Sequence, residues 1–167
     1  MPKAGLSAVF DGDGIGRVIS KTNMNIQDCI KFAQENPVCC LATVEGDQPR
    51  VRNVILWQAD LTGFYLILMS PKKVSAQLKT NPKAELCFFN RPADMLMVRQ
   101  LRVTGIMELV KDPELQARAV HDRTFLSQFT GKPVDAFLEV FRLTSCDAHF
   151  WTMPDVLHEA TLEHAKL

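Results

Sequence analysis

The sequence has no surplus of either charge. Its 167 residues carry 19 Lys+Arg and 19 Asp+Glu, a formal net charge of zero. Proteins that hold nucleic acid or an anionic membrane surface ordinarily need a basic excess, so neither partner is expected. No apolar run reaches the roughly 20 residues that span a bilayer, and no secretory leader opens the chain. A cytoplasmic protein is the expectation. The five cysteines (Cys29, Cys39, Cys40, Cys87 and Cys146) contain no C-x-x-C pair. Adjacent Cys39 and Cys40 point to opposite faces of a strand, which excludes their clipping one metal ion together. All five read as small buried hydrophobes in a reducing compartment, and no metal site is expected. The glycine-rich DGDGIG (11–16) completes neither a dinucleotide fingerprint nor a calcium loop, so it reads as a turn.

What the chain does have is 47% hydrophobic residues, enough for one domain with a real core. Residues 23–153 read as that domain, 1–22 as an N-terminal extension and 154–167 as a C-terminal tail. Asn25 is placed to cap a helix over 26–35, whose apolar face is Ile26, Cys29, Ile30 and Ala33. Asn36, ahead of Pro37, ends it. Strand-like runs follow at 38–44, 49–57, 64–69, 84–90, 97–110 and 139–153, with hairpin turns expected at 45–48 and 59–63. A short helix lies between the third and fourth runs. A longer one begins at Asp112-Pro113-Glu114 and is predicted to reach Phe129 before Gly131. Antiparallel strands without β-α-β alternation imply a mainly β fold, a sheet or a barrel.

Three features bear on function. On the second run Arg50, Arg52, Val54 and Leu56 share one face, while Val51, Ile55 and Trp57 share the other. A solvated face seldom keeps Val and Leu, and a core face seldom keeps Arg, so the first face reads as the wall of a cleft. The apolar FYLILM (64–69) ends in Ser70-Pro71-Lys72-Lys73 at a helix start, where free N–H groups and cations suit a phosphate. A later strand carries Gln100. Each feature also has a plainer reading: a surface ion pair for Arg52, a solvated turn for the lysines, a strand-edge polar group for Gln100.

Taken in order, ENPVCCLATVEGDQPRVRNV (35–54), FYLILMSPKKVSAQLKTNPKAEL (64–86) and RQLRVTGIMELV (99–110) resemble the FMN-binding split-barrel family of pyridoxamine 5'-phosphate oxidase-like proteins. The resemblance implies a six-stranded antiparallel split β-barrel of Greek-key type with a few flanking helices. It also implies FMN as cofactor and a homodimer with FMN at the subunit interface. The family's R-x-V-L-L stretch falls on Arg52, Asn53, Val54, Ile55 and Leu56, which border the flavin and its ribityl phosphate. Strand-end contacts fall near Leu68, Met69 and Ser70. The basic phosphate ligands fall on Lys73, with Lys72 or Val74 beside it. R-Q-x-x-V-x-G falls on Arg99–Gly105 and makes Gln100 a flavin contact from the partner subunit. Trp151 matches an aromatic that closes over the flavin, or else simply packs.

The chain departs from the true oxidases where R-x-V-L-L ends. A lysine that holds the substrate phosphate is replaced by Trp57, and the arginine-and-histidine substrate motif after Trp151 is absent. His149, with no acid or nucleophile near it in sequence, reads as structural. The expectation is an FMN-dependent oxidoreductase whose substrate is not pyridoxamine phosphate; a deep pocket over the ring lined by Trp57 and loop 91–97 would favour the enzyme, and a shielded or shallow flavin a carrier. The alternatives are a non-enzymatic flavin-binding electron carrier, or a barrel that takes heme or a deazaflavin.

Overall fold

Asn25 starts the first element by accepting the Asp28 N–H on its side-chain oxygen at 2.9 Å. The computed structural model describes residues 24–167, so DGDGIG and the N-terminal extension lie outside the described residues. Helix α1 (Ile26–Glu35) buries Cys29, Ile30, Phe32 and Ala33, and Asn36 closes it ahead of Pro37.

The strands follow the alternation of the sequence: β1 (Val38–Glu45), β2 (Gln48–Asp60), β3 (Gly63–Met69), β4 (Lys83–Phe89), β5 (Arg99–Leu109) and β6 (Leu138–Thr152). All pairings are antiparallel, in the order β3-β2-β1-β4-β5-β6, and β3 pairs with β6 to close the barrel. The fourth strand returns beside the first, which is the Greek-key arrangement. Helix α2 (Lys73–Thr80) makes that crossing from β3 to β4. Inward positions fill the barrel: Leu41, Phe64, Leu66, Leu86, Phe88, Leu101, Val103, Phe141 and Leu143 are buried. Burying one such phenylalanine or leucine stabilises the fold by about 1.5–3 kcal/mol.

A second apolar cluster covers the outer face of β3 and β6. There Tyr65, Leu138 and Val140 meet Ala119 of α3 (Pro113–Asp122). Asp112 caps α3 by accepting the N–H groups of Glu114 and Leu115. The single helix expected to Phe129 breaks at Arg123. The Thr124 hydroxyl donates back to the carbonyls of Val120 (3.1 Å) and His121 (2.7 Å), competing with the next helical turn. A 3-10 turn (Thr124–Leu126) and α4 (Ser127–Thr130) follow, and Gly131, at φ 64°, supplies the left-handed end.

Two irregularities escaped the period-2 reading. The β2–β3 register shifts between Leu56 and Gln58. The β5–β6 register shifts past Thr104, where Ser145 takes φ 50°. Opposite that second bulge a Cβ on Gly105 would lie 2.5 Å from the Thr144 carbonyl oxygen, so only glycine fits. The bulge also leaves Cys146 free to exchange backbone hydrogen bonds with Leu167 at 2.9 and 3.0 Å. Residues 165–166 thereby add a short seventh strand, β7 (Ala165–Lys166), beside β6. No helix among the described residues is long and apolar enough to cross a membrane.

Candidate functional site

The second strand brings Arg52 to the side of the barrel where α2 begins. Its guanidinium is held by two neutral acceptors. Nη1 donates to Thr43 Oγ1 at 2.7 Å, and Nη2 donates to Gln77 Oε1 at 2.7 Å. The Thr43 hydroxyl itself donates to Gln77 Oε1, again at 2.7 Å. Thr43 is 3% exposed and Gln77 6%, so the triangle is dry on its inner side.

A cleft of about 430 Å³ opens in front of this triangle, lined by Arg50, Arg52, Val54, Leu68, Lys72 and Lys73, with Asn53, Val74 and Gln77 completing it. Arg50 is paired with Glu45 at 2.8 Å. Among the described residues no ion pair reaches Arg52, Lys72 or Lys73. Desolvation first, and then the neighbouring Arg50, draw the Arg52 pKa below its ordinary value. An arginine nonetheless stays cationic across the physiological range. Lys72 occupies the N-cap position of α2 without a side-chain cap; the Ser75 N–H donates to the Lys72 carbonyl at 3.0 Å, which leaves the Lys73 and Val74 N–H groups without an intrahelical partner. Three cations and a positive helix end thus converge on a concave surface with an apolar floor of Val54 and Leu68. That chemistry suits an organic phosphate.

Of the residues singled out in the sequence, Arg52, Asn53, Val54, Leu68, Lys72 and Lys73 line this one cleft. Their neighbours do not all join them. Ile55 sits on the outer face, 60% exposed, opposite Val38 of β1. The Met69 side chain packs into the second apolar cluster, while its carbonyl accepts the Lys72 N–H at 2.9 Å. Ser70 is exposed at the strand end, its N–H donating to Phe137. Gln100 lies directly across the ladder from Trp151, on β5 and β6, and neither lines the cleft of its own chain.

Sequence reasoning passed over Thr43 and Gln77. Thr43 was visible as the polar member of the inward series Cys39, Leu41, Thr43. Gln77 stood in the Q-L-x-x-N-P stretch with no role attached.

Trp57 does not line the cleft. Its indole lies on the outer side of the barrel and turns toward α3, where Nε1 donates to Asp122 at 2.9 Å. Tyr65 meets the ring edge-on at 6.5 Å, and the Arg118 guanidinium lies 4.7 Å from its centroid. The Trp57 N–H bond is the largest influence holding the Asp122 carboxyl below its usual range, followed by a bond from His121. His149 stacks on His164 at 4.6 Å on the far side of β6, its pKa lowered first by burial and then by His164. A larger hollow of about 580 Å³, between α1 and the end of β6, is lined by Asp28, Glu35, Asp155 and Glu163 against Lys31 and Arg99. Its carboxylates make it a poor host for an anion. Among the described residues no group of three side chains could hold a metal ion.

The family model described as pyridoxamine 5'-phosphate oxidase matches residues 26–151. No curated protein matches the sequence. Among solved structures, a NimC/NimA family protein from Clostridium acetobutylicum is 23% identical, with 84% of this chain and 92% of that one covered at a TM-score of 0.65. An FAD-binding protein from Mesorhizobium loti is 18% identical, with 75% and 94% covered and a TM-score of 0.55. HutZ, the heme storage protein from Vibrio cholerae, is 20% identical, with 72% and 89% covered and a TM-score of 0.52. At these identities the structures share the fold, and the match over residues 26–151 supplies the kinship: the chain belongs to the pyridoxamine 5'-phosphate oxidase family.

Proposed function

We propose that the protein is an FMN-binding flavoprotein and an FMN-dependent oxidoreductase, acting as a homodimer on a substrate other than pyridoxamine phosphate. One observation carries the cofactor reading: Arg52, Lys72 and Lys73 face one cleft without a carboxylate partner among the described residues. A flavin mononucleotide offers the complement, a phosphate near two negative charges joined to a flat apolar ring. Lys72, Lys73 and the start of α2 would hold the phosphate. Arg52 would sit between phosphate and ring, and Val54 with Leu68 would give the ring an apolar bed. Bound there, the flavin supplies the redox chemistry, and the chain's part is to orient it and exclude water.

Heme is the competing cofactor, because HutZ is a heme storage protein on the same fold. The residues lining the cleft include no histidine, cysteine, tyrosine or methionine, hence none of the usual axial ligands. The FAD-binding relative favours a flavin.

Support for the homodimer comes from the outer face of β1 and β2. Val38, Val51 and Ile55 form an exposed apolar stripe there, with Met95, Leu96 and Met97 exposed on the loop before β5. A second copy covering such a stripe could bring its Gln100 to this chain's flavin.

The test is the absorbance spectrum of the purified protein, followed by titration of the apo form with FMN, riboflavin and hemin. Flavin bands and tight FMN binding are expected. A heme spectrum with no response to FMN would overturn the reading. Once loaded, turnover of a small-molecule substrate separates an oxidoreductase from a carrier that exchanges electrons only with proteins.

A further inference from the structure

We infer that Gln77 and Thr43 are positioning residues that aim Arg52 into the cleft and leave its charge free for an anion. The inference rests on the phosphate-site reading and deepens it, by naming what makes this arginine a receptor instead of half of a salt bridge.

The hydrogen-bond directions allow one arrangement. Gln77 Oε1 accepts both from Arg52 Nη2 and from the Thr43 hydroxyl. With its one proton committed to Gln77, Thr43 Oγ1 can meet Arg52 Nη1 only as an acceptor, as it does. Two neutral oxygens therefore hold the guanidinium in place, and neither subtracts from its charge. A carboxylate at position 77 would hold it equally well and cancel that charge. Of the five guanidinium N–H groups two are used, which leaves three for a ligand. Gln77 contributes a further donor, since among the described residues its amide NH₂ donates to no protein acceptor, and the residue lines the cleft.

The same contacts set a distance. Gln77 belongs to the helix that starts with Lys73, so its bond to Arg52 couples the cation on β2 to the helix itself. Helix α2 is fixed in turn to β6, where the Glu139 carboxylate accepts from both Ser75 and Lys79. Arg52 and the backbone of the first turn of α2 are thus held at one separation by these contacts, ahead of any ligand. A preorganised donor set binds more tightly than one ordered on arrival.

The experiment compares Gln77→Glu, Thr43→Val and Thr43→Ser with the wild type. Each is titrated with FMN and with riboflavin, and each is melted with and without inorganic phosphate. Gln77→Glu is expected to bind FMN at least about tenfold more weakly, the loss of one charge-assisted contact, and riboflavin about as the wild type does. It should also lose the melting-temperature rise that phosphate gives the wild type. Thr43→Val should weaken FMN binding in the same selective way, and Thr43→Ser, which restores the hydroxyl, should recover it. A merely structural role would lower FMN and riboflavin affinity together, and that result overturns the inference. So does wild-type-like FMN binding and phosphate response in Gln77→Glu and Thr43→Val. If Gln77→Glu does not fold, the Val and Ser variants at position 43 decide the matter alone. If the wild type ignores FMN yet responds to phosphate, and Gln77→Glu does not, the flavin reading falls and this inference stands. No response to either ligand overturns both.

Discussion

The indole N–H of Trp57 donates to the Asp122 carboxylate at 2.9 Å, tying the end of β2 to the end of α3. By resemblance to the true oxidases, this position should carry the lysine that grips the substrate phosphate. Here it carries an aromatic that is already engaged, with Arg118 over one face of its ring and Tyr65 at its edge. Pyridoxamine phosphate and pyridoxine phosphate are therefore expected to give no turnover in an oxygen-consumption assay of the FMN-loaded protein. A steady rate of about 1 per second or more, ordinary for an enzyme, would show that the phosphate finds another anchor.

Removing both lysines of the cleft tests the phosphate reading directly. Lys72 and Lys73 are exposed, so water and salt screen them and each contributes about 0.5–1.5 kcal/mol to holding a phosphate. The double alanine variant should lose about 1–3 kcal/mol of FMN affinity, or about 5- to 150-fold. Riboflavin binding should barely change, and added salt should weaken FMN binding in the wild type more than in the variant. Fluorescence quenching reports all three. Equal FMN affinity in the two proteins would return these lysines to the role of a solvated turn.

Substituting Ile55 by Glu probes the outer stripe. At 60% exposure in the single chain, Ile55 is not needed to hold the barrel together, so the variant should fold and keep its melting temperature within a few degrees. Light scattering should find a dimer for the wild type and a monomer for Ile55→Glu, with weakened FMN binding in the variant. A wild-type monomer that still binds FMN would remove both the dimer and Gln100 from the site.

Much of this was open to reading along the chain, because a barrel strand repeats every two residues and buries alternate positions. Of Leu101, Val103, Met107 and Leu109, which alternation puts on one face, the first three are buried and Leu109 is exposed, and Lys73 opened a helix where the apolar run of β3 stopped. What stayed hidden depended on irregularity or on distance. A bulge at Trp57 turns Ala59 inward where the alternation of Val54 and Leu56 would have turned Gln58, and no periodicity announces a bulge. The Arg52 cradle draws on Thr43 and Gln77, 34 residues apart, and exists only once β1 and α2 pack together. At Arg123 a threonine hydroxyl outweighed the helical pattern around it. The two residues of β7 are too few to show any period.

Asp147 gives a pH-dependent readout of that last strand. Its carboxylate accepts from Lys166 and His164, and these bonds, Lys166's the larger, hold its pKa below the usual value. A carboxyl depressed in the folded state stabilises fully above its unfolded value, about 3.9. The contribution is lost as pH falls below that, through the folded value. Amide protection of Leu167, which donates to Cys146, should accordingly fall below about pH 4 after correction for intrinsic exchange. Asp147→Asn should show the reduced protection at neutral pH already. Unchanged protection in that variant would mean that the backbone bonds alone hold β7.

The pairing of β3 with β6 has a kinetic side. Phe64 faces Leu143 and Met69 faces Leu138, so the barrel closes only when segments far apart in the chain meet. Such non-local contacts slow folding, because the intervening loop must surrender its freedom before any contact rewards it. The cleft lies on the β3 side of this seam, lined from β2, β3 and α2. Arg52 approaches it from β2, and α2 leads directly out of β3 and is latched to Glu139 on β6. A ligand gripped there ties β2 to α2, and α2 in turn holds β6 through Glu139, so the ligand steadies one side of the seam. It would therefore act less as a passenger on a finished fold than as a brake on its unfolding, lengthening the lifetime of the closed barrel.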